Sequence, residues 1–140
     1  MRWIVAVSLS IAAQITHPAA AQSLTTAAEI RPILTATKSQ WVAVREYDGR
    51  DLVYFTNLLA WRCGLEAVSF GLNGAPPQTA LMMEPCHDGE ASPNALKMDQ
   101  GILPYTEADL GSVQSVTVQI TYDDGTTDTA DYARAAVLIP

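Results

Sequence analysis

Apolar residues alternate with polar ones in short runs over most of this chain, and each run stops at a cluster containing Gly, Asp or Asn. That rhythm of period two, punctuated by turn residues, predicts antiparallel hairpins. Only one stretch runs at helical spacing. Ile30, Ile33, Leu34, Thr37 and Trp41 recur every three or four residues. They follow Thr26 and Glu29, whose separation of three suits a capping box. Pro32 is tolerated in a first turn, so the regular helix is expected to begin between Thr26 and Arg31. Such a helix is short and apolar on one side, suited to lie against a sheet.

The first hairpin has the clearest signal. Residues 41–47 and 50–56 are two β-rich runs around Asp48-Gly49, a pair favoured in two-residue turns that need positive φ at both positions. The turn sets the register: Tyr47 faces Arg50, Val44 faces Val53 and Val42 faces Phe55. Val42, Val44, Val53 and Phe55 then form the core face. Trp41, Arg45, Tyr47, Arg50, Leu52 and Tyr54 form the other, where aromatic and basic groups mix. A second hairpin is expected around Asn73-Gly74-Ala75-Pro76. It would place Val68 opposite Leu81, Phe70 opposite Thr79, Glu66 opposite Met83 and Cys63 opposite Cys86. In the third, Val116, Val118, Ile120 and Tyr122 share one face of a strand that ends at Asp123-Asp124-Gly125. A three-residue loop with Gly in the left-handed position pairs Val118 with Ala130 and Val116 with Tyr132. Between the second and third hairpins, residues 87–111 are rich in Gly, Pro, Asp and Ser. A connection of that length inside a small domain is expected to be functional or mobile. The expected fold class is α+β: one N-terminal helix packed on an antiparallel sheet of about six strands, built from three hairpins and stapled once.

The beginning of the chain bears on location. Arg2, an apolar stretch over residues 3–13, and Ala19 and Ala21 in an A-x-A arrangement read as a secretory signal peptide over residues 1–21, cleaved near Ala21-Gln22. The apolar run is shorter than the roughly 20 residues that cross a bilayer, so no stable insertion is expected after cleavage. The expected product is a periplasmic or secreted domain over residues 22–140. In an oxidising compartment, the only two cysteines, Cys63 and Cys86, read as a disulfide rather than a metal pair or a free thiol. Closing a loop of about 24 residues is worth roughly 3 kcal/mol in the chain-entropy model.

Charge narrows the partners. Fifteen acidic residues against eight basic ones give a net charge of −7. The cations are scattered singly, which argues against nucleic acid and anionic lipid as partners. Candidate chemistry is sparse. His87 is the one histidine beyond the signal peptide and lies near Glu84, Asp88 and Glu90; a general base or metal ligand is the functional reading, a solvated loop position the preferred one. Asp123, Asp124, Asp128 and Asp131 surround Gly125 without the spacing of a calcium loop. Gly64, Gly71, Gly74 and Gly101 form no phosphate-cradling pattern. Nothing points to a cofactor or a metal. The aromatic residues Trp41, Tyr47 and Tyr54, with Trp61 beyond, are the candidate partner-binding set.

Residues 41–49 and 51–56, followed by Trp61-Arg62-Cys63-Gly64-Leu65 and Met83-Glu84-Pro85-Cys86-His87, resemble a group of small exported alphaproteobacterial proteins of unknown function. The resemblance implies a periplasmic home and carries no activity. The functional expectation is therefore a non-enzymatic exported domain that binds a protein or cell-envelope component through one sheet face, in one version as an inhibitor. The alternative is a small periplasmic hydrolase using His87 with carboxylates of the segment 88–109.

Overall fold

The computed structural model describes residues 12–16 and 23–140. The expected signal peptide falls outside these residues apart from 12–16. Among the described residues, no helix is long and apolar enough to cross a membrane.

The chain begins with α1 (Ala27–Ala36), where the Glu29 carboxylate reaches back to accept from the amides of Thr25 and Thr26 at 3.0 and 3.1 Å. This satisfies N–H groups that a helix start leaves without partners. Pro32 sits inside the helix rather than in its first turn. A 3-10 turn (Lys38–Gln40) leads into β1 (Ala43–Tyr47) and β2 (Arg50–Tyr54), then the single-turn α2 (Thr56–Leu59) and a second 3-10 turn (Arg62–Gly64). Next come β3 (Leu65–Leu72), β4 (Thr79–Ala80), β5 (Tyr105–Asp109), β6 (Ser115–Tyr122) and β7 (Thr127–Ala133). The single-turn α3 (Arg134–Val137) and β8 (Leu138–Ile139) close the chain.

The α+β class, the N-terminal helix and the single disulfide are as expected. The strands, however, form two sheets of four rather than one of about six, in the orders β5-β2-β1-β8 and β4-β3-β6-β7. All pairings are antiparallel except the short parallel contact of β8 with β1. The turn chemistry sets the hairpin registers: Tyr47 pairs with Arg50 and Val44 with Val53, Phe70 pairs with Thr79, and Val116 and Val118 pair with Tyr132 and Ala130. Asp48 and Gly49 both adopt positive φ, and Gly125 takes the left-handed position of the last turn. The second hairpin is ladder-paired over Thr79–Ala80, with one further bond from the Leu81 amide to the Val68 carbonyl at 2.9 Å, and Gly71 lets the returning loop press against the strand. A Cβ there would lie 2.2 Å from the Ala75 carbonyl oxygen.

Segment 87–111, expected from sequence to be a functional or mobile connection, supplies β5, which pairs with all of β2. The disulfide between Cys63 and Cys86 is present, with Cα atoms 5.0 Å apart. It joins the second 3-10 turn to the segment after β4 rather than two ladder partners.

One core lies between the sheets, with α1 contributing Ala27, Ile30 and Leu34. Alternate residues of β6 point inward (Val116, Val118, Ile120, Tyr122), and Phe55, between β2 and α2, meets Phe70 of the second sheet at 5.1 Å between ring centroids. Burial of these side chains, at roughly 1.5–3 kcal/mol each, is the main stabilising contribution. Asp51 ties the sheets together at one end. It lies on the core side of β2, is fully buried, and accepts from the amides of Gly111 and Val113 at 3.0 Å each and from Arg134 at 2.6 and 3.1 Å.

Candidate functional site

The outer face of the first sheet is the candidate site. Pairing across β5, β2, β1 and β8 sets its outward residues in rows: Tyr105, Tyr54 and Ala43; Glu107, Leu52, Arg45 and Ile139; Asp109, Arg50 and Tyr47. Among the described residues no helix or strand covers this face, and Tyr47 is 57% exposed. The Tyr54 and Tyr105 rings meet at 5.2 Å with a tilt of 56°, as aromatic pairs prefer. The Arg45 guanidinium lies over the Tyr47 ring at 4.9 Å. Arg50 is drawn across the face to Asp109 at 3.1 Å and Glu107 at 3.8 Å.

Two hollows open here. One, of about 320 Å³, is lined by Ala43, Arg45, Tyr54 and Ile139, together with Gln40, Trp41, Thr56 and Asn57. The other, of about 420 Å³, lies over Leu52 between Tyr47, Tyr54 and Tyr105, with Asp48, Arg50 and Glu107 around it. Arg45 and Tyr54 line both and so form the ridge between them. Asn57 donates through Nδ2 to the Gln40 carbonyl at 2.6 Å, which leaves its Oδ1 as an acceptor at the first hollow.

Of the four aromatic residues expected to bind a partner, Tyr47 and Tyr54 share this face. Trp41 borders the first hollow but is not displayed on the face, because β1 starts two residues later and the alternation does not reach back to it. It is 0% exposed, and its indole Nε1 donates to the Leu34 carbonyl at the end of α1 at 3.0 Å. Its role is packing. Trp61 lies elsewhere, half-buried against the core beside Leu24, Ala60, Pro93 and Asn94. Leu52, assigned to the outer face, does point outward but is only 5% exposed, so it serves as a floor. Tyr105 completes the aromatic wall. It escaped the sequence reading because β5 carries Thr, Glu and Asp and begins just after Pro104, a composition that reads as loop.

His87 has a different setting. Its Nε2 donates to Oε1 of Glu84 at 2.6 Å, and the Glu84 carboxylate also accepts from the amides of Lys97 (2.9 and 3.1 Å) and Met98 (3.2 Å). Glu84 is 2% exposed. Its pKa is held down to about 2, first by the Lys97 amide, with His87, the Met98 amide and the charge of Arg62 acting in the same direction against burial. The acid beside His87 therefore comes from before Cys86, not from segment 88–109, and it is engaged in holding the loop. Arg62 does the same from below. It donates to the carbonyls of Leu59, Glu84, Pro85, Asn94 and Ala95 at 2.6–3.2 Å. The acidic turn is likewise occupied: Asp123 accepts from the Ala27 amide, Asp124 pairs with Arg31 and Asp128 with Lys38. Among the described residues, no group of three or more His, Cys, Asp or Glu side chains is arranged to hold a metal ion.

No family model, curated protein or solved structure matches this chain.

Proposed function

We propose that the chain is an exported, non-enzymatic domain that binds a protein or a cell-envelope component through the outer face of β5-β2-β1-β8. The observation that carries this reading is the uncovered aromatic and basic face, with hollows on both sides of the Arg45–Tyr54 ridge. Small domains normally commit their large side chains to packing, and this one leaves three tyrosines on one open sheet. The disulfide, the leader read from the sequence of residues 1–21 and the resemblance to small exported alphaproteobacterial proteins support a periplasmic setting.

The hydrolase alternative needs a nucleophile or an activated water at His87. The geometry favours loop anchoring instead, since Nε2 is committed to a carboxylate that itself accepts three further hydrogen bonds from two backbone amides. The test is affinity capture from a native periplasmic extract with the parent chain, Tyr47→Ala and Tyr54→Ala. Both variants should lose the captured partner while keeping the parent's thermal midpoint. Undiminished capture by both would refute the reading.

A further inference from the structure

Cations are scarce in this acidic chain, and their placement is informative. Among the described residues, Arg31, Lys38, Arg50, Lys97 and Arg134 each pair with a carboxylate, and Arg62 is caged by five carbonyls. Among these cations Arg45 alone is held by neither a carboxylate nor backbone carbonyls. With fifteen acidic residues in the chain, an arginine left only on a tyrosine ring stands out, and it sits on the ridge between the two hollows. A guanidinium in that position presents a planar fork of donors that fits a carboxylate.

The rest of the site constrains the ligand. Strands β1 and β2 have neighbours on both sides, so a peptide laid over the face meets no free main chain to pair with. Recognition must run through side chains. Those at the first hollow are a tyrosine ring, two planar amides (Gln40 and Asn57) and a hydroxyl (Thr56), around the apolar surface of Ala43 and Ile139. Flat ring faces bind the C–H surface of a saccharide, and amides, a hydroxyl and a guanidinium bind its oxygens.

We propose that this groove binds a carboxylate-bearing carbohydrate, with Arg45 as the carboxylate anchor and Tyr54 as the ring platform. The inference rests on the preceding reading that the outer face binds a partner, and it selects the envelope glycan from the partners that reading allows.

The test is an amide-resolved NMR titration of the labelled protein with a trimer of galacturonic acid, its methyl ester and a glutamate-rich decapeptide. The acidic trimer should shift amides around Arg45, Tyr54, Asn57 and Ile139, and weaken as salt is raised. The methyl ester should bind roughly tenfold or more weakly, as should the trimer with Arg45→Gln, whereas Lys97→Gln should leave the affinity unchanged. Equal affinity for acid and ester, no shifts with the acidic trimer, or shifts with the decapeptide instead would overturn the proposal. If the trimer is silent while capture still depends on Tyr54, the ligand class is wrong and the docking face stands. If capture is also indifferent to Tyr54, both fall.

Discussion

Replacing Asp51 with Asn keeps the side-chain shape and removes one charge from a largely buried ion pair with Arg134. Asp51 is 0% exposed, and both its oxygens already accept two donors: Gly111 N and Arg134 Nη2 on Oδ1, Val113 N and Arg134 Nη1 on Oδ2. An asparagine must turn its own NH2 toward one of these donor pairs, so a repulsive contact replaces two attractive ones. Arg134 keeps Glu46 and the Val113 carbonyl, each at 2.7 Å, but Glu46 is largely in water and contributes little. Removing one partner of a buried pair costs about 3–5 kcal/mol, against roughly 5–15 kcal/mol for a whole domain. Asp51→Asn should therefore remove about a fifth or more of the stability. Urea unfolding followed by far-UV circular dichroism measures it, with Arg50→Ala as an exposed-pair control expected within about 0.5 kcal/mol of the parent. The effect also has a pH signature. Bonding to Arg134 and two amides holds the Asp51 carboxyl well below the usual carboxylate range. Its contribution is thus present above about pH 4 and disappears as pH falls below the unfolded value. The parent and Asp51→Asn curves should converge on acidification. A loss under about 1 kcal/mol, or a difference that persists unchanged into acid, would refute the claim that this pair joins the sheets.

Two further changes probe other joints. The double change Cys63→Ser, Cys86→Ser should lower stability by roughly 3 kcal/mol while the chain still folds, because Arg62 bonds the same segment independently; a variant with no unfolding transition would contradict this, as would reduction of the parent without any fall in its urea midpoint. Gly71→Ala forces a methyl to 2.2 Å from the Ala75 carbonyl oxygen and 2.5 Å from that of Pro76, contacts that only backbone movement relieves. It should cost at least the 1–3 kcal/mol typical of overpacking, read as a lowered thermal midpoint, and an unchanged midpoint would show that the loop has another place to go.

Local chemistry was legible in the sequence, and distant pairing was not. Asp48-Gly49 and Asp123-Asp124-Gly125 determine φ at their own positions, and a turn then fixes every partner along its two strands. No comparable signal links β3 to β6 or β2 to β5, whose partners are far apart in the chain. One sheet of three hairpins and two sheets sharing them satisfy the same alternation. Asp51 shows the limit at a single residue. In a strand sequence it reads as one more polar position, and its partner Arg134 lies 83 residues away. The candidate site divides similarly. The first hairpin's register placed Arg45, Tyr47 and Tyr54 together, whereas Trp41 fell outside the strand and Tyr105 came from a segment whose polarity hid it.

The charge distribution separates anchoring from recognition more sharply than the aromatic pattern does. Arg134 joins the two sheets at one end, Arg62 holds segment 84–95 beneath the disulfide, and Arg31 and Lys38 fasten α1 and the turn after it to the β6–β7 end of the second sheet. In each case a carboxylate or a set of carbonyls meets the cation at the seam between elements that local propensity would leave separate. His87 and Glu84 belong to the same group, since the amides they engage close the loop after Cys86. Arg45 serves no seam. It crosses from β1 toward open hollows on a face whose strands are already held by their ladders, and neutralising it should leave folding intact. A cation that the fold does not need, placed beside rings that the core does not need, is the reason this face is the one proposed to bind.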